Sequence, residues 1–204
     1  MKYQLNYIIP KLLRKLFNPP AINHSTISNK AKCDIGCSVS SSIMGDYSYI
    51  GEYTSLSMVE VGAYTSISSN CSIGGGDHPA KWVSTSPVFT ANRSILRTNF
   101  SSNPFETHCL THIGNDVWIG SNCVIKAGVR IADGAVVGMG SVVTHDIGPY
   151  EIWCGNPAKF LKKRFDDDTI KRLLDLQWWR WDATKIKIHA HLFNNVELFL
   201  ERIK

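Results

Sequence analysis

The 204-residue sequence has no apolar run long enough to cross a bilayer, so no membrane-spanning helix is expected. No small-residue cleavage site follows the first twenty residues, which argues against a secretory signal. Positive charge is also limited, since 22 Lys and Arg stand against 17 Asp and Glu for a net charge of +5. That excess is too small for a nucleic-acid surface and suits a small polyanionic ligand better. We expect a cytoplasmic protein.

Paired cysteines are missing as well. Cys33 and Cys37 lack the second matching pair that a zinc site of this type needs. Cys71 and Cys123 fall at a repeat position that Ser, Thr, Ala or Val otherwise fill, as small buried residues would. We therefore predict six reduced thiols, and no metal is expected.

What the sequence does contain is a six-residue repeat. Its hexads open on an aliphatic residue, often followed by Gly, at Ile113, Ile119, Ile125, Ile131, Val137 and Val143. The fifth places are small or apolar: Val117, Cys123, Val129, Ala135, Ser141 and Ile147. The same period runs from Met44 to Ile73, with one residue missing between Leu56 and Val61, and a plausible start lies near Ile35. A fixed short period predicts stacked coils of three short faces, each burying its apolar residues against its neighbours.

Three stretches give this repeat a family resemblance. They are "GGGDHPAKWVSTSPVF", the tract from "IGNDVWIGSNCVIKAGV" to "CGNPAK", and "KKRF" with the tail "LLDLQWWRWD". From about Ile35 to Asp182 the chain resembles the hexapeptide-repeat acyltransferases, in the xenobiotic acetyltransferase branch of chloramphenicol, streptogramin and sugar O-acetyltransferases. The resemblance implies an all-β fold, a left-handed parallel β-helix over 35–162. It also implies a homotrimer with active sites between subunits, and acetyl-CoA as co-substrate.

Two segments flank the repeat. Residues 1–34 read as a lead-in that Pro10 interrupts, either a short packing helix or a weak membrane-surface anchor. Residues 163–204 are predicted to form a C-terminal α-helical cap, which starts at 166–168. One helical face would carry Ile170, Leu173, Leu174, Trp178 and Trp181. The tryptophans favour packing of the cap onto the β-helix over ligand stacking.

The repeat is broken by a long excursion loop at about 74–107, and His78 lies at its mouth. A structureless loop of that length in a compact fold is usually functional. Acetyl transfer to a hydroxyl needs a base, and an unperturbed imidazole titrates near neutrality. In the resembled family a loop histidine is the general base, which the "DHP" tract places at His78. Asp77 is a candidate substrate contact, but sequence neighbours point apart, so a backbone carbonyl or another coil could equally orient His78.

Other chemistries use the same stretch. A zinc site of His78, His108 and His112, as in γ-class carbonic anhydrases, fits the spacing poorly. A covalent route through Cys109 would need an activating base that the sequence does not show. A non-catalytic β-helix scaffold is a further alternative, against which the intact His78 and "GNPAK" tract argue.

The resemblance also implies a binding site for the carrier. Candidate contacts with coenzyme A are Trp118, Ser121, Gly138, Met139, Thr144, Asn156, Lys159, Lys162 and Arg164. The basic cluster at 159–164 could instead be a solvated face, and Trp118 plain surface packing. Acceptor binding falls to the excursion, with Trp82 and Phe89 as apolar candidates. We predict an O-acetyltransferase whose acceptor is a sugar of a surface polysaccharide or its precursor, with an antibiotic hydroxyl as the alternative.

Overall fold

The chain forms a parallel β-helix with a small helical cap, in a computed structural model that describes residues 2–91 and 95–203, apart from the side chains of residues 2–7, 11 and 15. Three sheets make its faces, in the orders β1-β4-β7-β10-β13-β16, β2-β5-β8-β11-β14 and β3-β6-β9-β12-β15-β17-β18. The strands are β1 (Ala21–Asn23), β2 (Thr26–Ile27), β3 (Lys32–Cys33), β4 (Ser38–Ser40), β5 (Ile43–Met44), β6 (Tyr49–Ile50), β7 (Ser55–Ser57), β8 (Val59–Val61), β9 (Ser66–Ile67), β10 (Ser72–Gly74), β11 (Thr111–Ile113), β12 (Trp118–Ile119), β13 (Val124–Ile125), β14 (Arg130–Ile131), β15 (Val136–Val137), β16 (Val142–Val143), β17 (Glu151–Gly155) and β18 (Ala158–Lys163).

The hexad openings point inward, as predicted. Successive strand residues face opposite sides, so in β12 Trp118 is exposed while Ile119 is fully buried. Parallel pairing then stacks Ile67, Ile119 and Val137 in one column through the core. Each fully buried aliphatic side chain contributes roughly 1.5–3 kcal/mol, so the repeat itself supplies the stability of the coils.

The fifth places are buried too, and their polar atoms have partners. The Thr65 hydroxyl donates to the Gly114 carbonyl at 2.8 Å, and the Ser141 hydroxyl donates to the Gly138 carbonyl at 2.6 Å. The Cys123 thiol contacts the same Gly138 carbonyl at 3.2 Å. Small side chains with one donor satisfy corner carbonyls of their own or the neighbouring coil, and the repeat cysteines are buried as expected.

The coils begin earlier than the start near Ile35 that the repeat predicted. Strand β1 pairs with β4, Ala21 opposite Ser38, so residues 21–34 belong to the β-helix and not to the lead-in. The pattern is weak there because the first coil is covered on one side only, which leaves Ile22 half exposed. At the other end Ile147 pairs with Ile131, so it opens a coil face and is not a fifth-place residue.

A helix precedes the coils. Helix α1 (Lys2–Phe17) runs through Pro10, so the expected interruption there is wrong. Its described apolar side chains are exposed, so the helix does not pack onto the chain's own body through them. Nowhere in the described residues is a helix long and apolar enough to cross a membrane.

The helical cap follows the last coil. It contains α2 (Asp167–Leu176), α3 (Ala183–His189) and α4 (Val196–Arg202), and the Asp166 side chain caps α2 as predicted. The expected single helical face through Trp181 is wrong, because Gln177 adopts a left-handed conformation and ends α2. Trp178 is nonetheless buried, with its ring centroid 4.9 Å from that of Tyr64, so the packing role is confirmed.

An arginine links the cap to the coils. The Arg164 guanidinium donates to the Gly134 carbonyl at 2.7 Å and to Asp116 Oδ2 at 3.1 Å, and it lies 5.1 Å from the Tyr150 ring. Burial raises the pKa of the Asp116 carboxyl, and Arg164 offsets part of that effect. Gly134 has a φ of +70°, and a Cβ there would lie 2.5 Å from Cδ1 of Tyr150. This interlocked group fixes where the chain leaves the β-helix.

Candidate active site

The excursion leaves and re-enters the β-helix at one point. It departs after β10 in the first sheet and returns at β11 in the second, so it lies on the edge between these sheets. Gly76 and His108 form an antiparallel bridge, and the Asp77 amide donates to the Thr107 carbonyl at 2.7 Å. These contacts clip the two ends of the loop together and hold the next residue, His78, close to the coils.

The His78 ring is oriented by a backbone carbonyl. Its Nδ1 lies 2.9 Å from the Thr85 carbonyl oxygen, which can only accept a hydrogen bond. In the neutral ring Nδ1 therefore carries the proton and Nε2 keeps its lone pair. Asp77 has another task, because its Oδ1 accepts from the His78 backbone amide at 2.8 Å. Of the open alternatives, the backbone carbonyl is the one found, and Nε2 of the exposed imidazole has no hydrogen-bond partner among the described residues.

The acceptor candidates line a cavity on the same loop. Trp82 and Phe89 border a space of about 450 Å³ together with Lys81, Val83, Ser84 and Asn103. The Trp82 ring makes an edge contact with Phe105, with centroids 5.7 Å apart. The cavity thus joins an aromatic wall to polar side chains at its rim.

The carrier candidates divide among four places. Trp118 and Lys162 lie on the outer face of the third sheet, where the register aligns Ser66, Trp118, Val136, Ile152 and Lys162. The sequence prediction missed Ser66, Val136 and Ile152, although Val136 follows Trp118 by one full coil and could have been found by counting. All of this row except Lys162 borders a groove of about 510 Å³.

The corner between the third and first sheets holds three more candidates. Ser121, Gly138 and Met139 stack there, with the Gly140 amide donating to the Ser121 carbonyl at 2.8 Å. A Cβ at Gly138 would lie 2.8 Å from Cβ of Cys154, so the turn requires glycine for close packing. Met139 is 78% exposed, which leaves its side chain free for a ligand.

The remaining carrier candidates lie elsewhere. Asn156 and Lys159 are exposed at the turn of the β17–β18 hairpin, next to the last coil. Thr144 follows β16, on the edge where the excursion emerges, and its hydroxyl lies 2.9 Å from Nδ1 of His145. Arg164 borders the Trp118 groove, but its guanidinium is held by Asp116 and the Gly134 carbonyl. Arg164 therefore forms part of the wall of the groove, with its guanidinium bound to other groups of the protein.

The histidines proposed for zinc do not converge. Nδ1 of His112 pairs with Oε2 of Glu60 at 2.9 Å on the second sheet, while His108 lies against Gly76 in the neck of the excursion. Within residues 2–91 and 95–203 no group of three or more His, Cys, Asp or Glu side chains is placed to hold a metal ion. Cys109 is exposed, and the described part of the chain offers its thiol no hydrogen bond or ion pair.

A β-helix of regular hexapeptide repeats, interrupted by a loop that carries a histidine, is typical of the hexapeptide-repeat acyltransferases. The family model "Bacterial transferase hexapeptide (six repeats)" matches residues 110–145. The chain is also 39% identical over 164 residues to chloramphenicol acetyltransferase from Agrobacterium fabrum, which covers 71% of this chain and 78% of that protein. The chain thus belongs to the hexapeptide-repeat acyltransferases, in the xenobiotic acetyltransferase branch, and is an acetyltransferase.

Two further similarities bear on this family. A probable macrolide acetyltransferase from Lysinibacillus sphaericus is 40% identical over 126 residues, covering 61% of this chain and 66% of that protein. An N-acyltransferase from Bacillus cereus has a similar structure, with a TM-score of 0.54 at 19% identity over 82% of this chain and 96% of that chain. The structural likeness shows the fold alone. The two curated relatives carry different acceptors in their names at nearly equal identity, so overall identity does not select the acceptor.

Proposed function

We propose that the protein transfers the acetyl group of acetyl-CoA directly to a hydroxyl of its acceptor, with His78 as general base. The observation that carries the proposal is the contact between Nδ1 of His78 and the Thr85 carbonyl. A carbonyl partner fixes the tautomer and the ring plane without adding a charge, so Nε2 remains available as a proton acceptor.

The reaction then balances in two proton transfers. Nε2 of His78 takes the acceptor hydroxyl proton as the oxygen attacks the thioester carbonyl carbon. The tetrahedral intermediate collapses with cleavage of the carbon–sulfur bond, and the imidazolium gives the acceptor's proton to the leaving thiolate of coenzyme A. The products are an acetyl ester and free coenzyme A. Direct transfer needs no covalent enzyme intermediate, in keeping with a Cys109 thiol that has no hydrogen bond or ion pair among the described residues.

Carrier binding is proposed for the outer face of the third sheet and its adjoining corner. Trp118 is half exposed there and can pack against the pantetheine chain. Lys162 in the same row, and Lys159 at the hairpin, supply exposed positive charge for the phosphates. Part of the chain's small excess of positive charge would thus lie near the phosphates of coenzyme A.

The active site is proposed to form between copies of the chain in a homotrimer. His78 lies on the edge between the first and second sheets, whereas Trp118 lies on the third sheet, so one chain presents the base and the carrier groove on different sides. Mixing His78→Ala with Trp118→Ala subunits tests this arrangement. Mixed trimers should contain active sites with the unmodified protein's KM for acetyl-CoA, which neither parent has, because His78→Ala lacks the base and Trp118→Ala has a raised KM. A KM that stays at the Trp118→Ala value in the mixture would contradict a shared site.

For the acceptor we propose a sugar hydroxyl of a surface polysaccharide or its precursor. The aromatic wall of Trp82 and Phe89 suits the apolar face of a sugar ring, and the rim of Lys81, Ser84 and Asn103 suits its hydroxyls. An antibiotic hydroxyl is the second candidate, favoured by the names of the chloramphenicol and macrolide relatives. Either reaction takes place where acetyl-CoA is available, in the cytoplasm.

Release of free thiol from acetyl-CoA, measured with a panel of sugars, chloramphenicol and macrolides, tests both the activity and the acceptor. His78→Ala should lower kcat by roughly 10²–10⁴-fold, the usual contribution of a general base. His191→Ala, an exposed histidine of the cap, is the matched control and should keep full turnover. Full turnover by His78→Ala would refute the mechanism, and the absence of any coenzyme A binding would refute the proposed activity.

A further inference from the structure

Helix α1 carries an apolar stripe that the described chain leaves uncovered. Two rows spaced by four residues form it, and residues so spaced share one face of a helix. The rows are Ile8, Leu12 and Leu16, and Ile9, Leu13 and Phe17. Their exposures range from 46% for Leu13 to 74% for Phe17. Six large apolar side chains on one short helix exceed the scattered exposure that is normal for a protein surface.

One polar side chain of the helix, Arg14, contacts the body of the protein. Nη2 of Arg14 lies 2.7 Å from Oε2 of Glu52 and 3.5 Å from the Tyr53 hydroxyl, and its guanidinium carbon is 5.9 Å from the Tyr53 ring centroid. Just after the helix, the Asn18 carbonyl accepts from the Gly36 amide at 2.8 Å. These contacts hold the end of α1 against the first coils. Because Arg14 lies outside both apolar rows, its ion pair with Glu52 leaves the stripe facing away from the body of the protein.

The charge of this segment restricts what can cover the stripe. Its sequence up to Cys33 contains only basic charged residues, and the first acidic residue is Asp34. The basic residues are Lys2, Lys11, Arg14, Lys15, Lys30 and Lys32. Arg14 pairs with Glu52 and Lys30 pairs with Asp46, each at 2.7 Å, so the remaining charge comes from the other four lysines. An apolar stripe on a segment with an excess of Lys is complementary to an anionic lipid surface, where acyl chains accept the stripe and headgroups accept the charge.

We infer that α1 binds the surface of an anionic membrane, lying in the plane of the interface and holding the β-helix beside the bilayer. The helix has 16 residues, about 24 Å at 1.5 Å per residue, which suits an interfacial position and is too short to span the roughly 30 Å hydrocarbon core. The inference does not depend on the acceptor or on the catalytic role of His78.

Flotation with lipid vesicles tests the inference on the full-length protein. Vesicles of phosphatidylcholine with about 30% phosphatidylglycerol should carry the protein upward, pure phosphatidylcholine should do so weakly, and added salt should weaken the anionic case. Leu12→Glu places a carboxylate in the stripe and should lower the partition coefficient about tenfold or more. Ile188→Glu makes the same kind of change at a similarly exposed residue of α3 and should leave binding unchanged.

Thermal unfolding and thiol release from acetyl-CoA in solution provide the second readout. Both should stay unchanged in Leu12→Glu, since the side chain is exposed and distant in sequence from the excursion. Failure of the unmodified protein to float with anionic vesicles would overturn the inference. A smaller oligomeric mass of Leu12→Glu in light scattering, without vesicle binding by the unmodified protein, would also overturn it, because the stripe would then be an interface between copies of the chain.

Discussion

Replacing Gly134 with alanine tests the interlocked group of Gly134, Tyr150 and Arg164 that joins the cap to the coils. Two costs add at this position. A non-glycine residue at φ +70° costs about 1–2 kcal/mol. The new Cβ would also lie 2.5 Å from Cδ1 and 2.7 Å from Cζ of the buried Tyr150, and overpacking of a filled core costs about 1–3 kcal/mol. The expected loss of stability is therefore about 2–5 kcal/mol.

The chain offers a matched control for this substitution. Gly140 also has a φ of +70°, but a Cβ there meets nothing within 4 Å. Gly140→Ala should therefore show only the backbone cost, about 1–2 kcal/mol. Thermal unfolding measures both, at roughly 2–4 °C per kcal/mol for a chain of this size. Equal losses for the two variants would refute the reasoning, because Tyr150 would then be free to move out of the way.

Two further predictions concern the carrier and the cysteines. Trp118→Ala should raise the KM for acetyl-CoA several-fold with little change in kcat, because Trp118 is proposed to bind the carrier and takes no part in proton transfer. Steady-state kinetics measures both constants, and a loss confined to kcat would contradict the assignment. Cys109 and Cys154 are the exposed cysteines. A thiol reagent should therefore modify two of the six cysteines rapidly in the folded protein and all six after unfolding. Rapid modification of four cysteines in the folded protein would contradict the burial described above.

The coils could be predicted from the sequence because their pattern is local. In every two-residue strand one side chain points inward, so the six-residue spacing identifies the core residues directly, as at Ile119 and Ile125. The prediction failed at the first coil, where Ile22 has a neighbouring coil on one side only and burial no longer selects the residues. It also failed at Pro10, because the absence of one backbone donor does not by itself end a helix.

Site geometry was less accessible from sequence. The position of His78 could be inferred from the broken repeat and the family resemblance, but its partner is the carbonyl of Thr85, a group that every residue carries. No residue pattern distinguishes one carbonyl from another, so only the path of the loop reveals the contact. Arg164 shows the reverse case: its charge suggested a carrier contact, whereas the structure commits its guanidinium to Asp116 and the Gly134 carbonyl.

The β-helix places its proposed ligand-binding residues and its proposed base in different ways. The hexads leave the outward residue of each strand free to vary, so a face such as the row of Ser66, Trp118 and Val136 can be built for a ligand without disturbing the core. The proposed base, His78, is held by the excursion: the ends of the loop are tied by Gly76 and His108, and its interior places a backbone carbonyl against the imidazole. The break in the repeat thus supplies the contact that orients His78 from outside the coils.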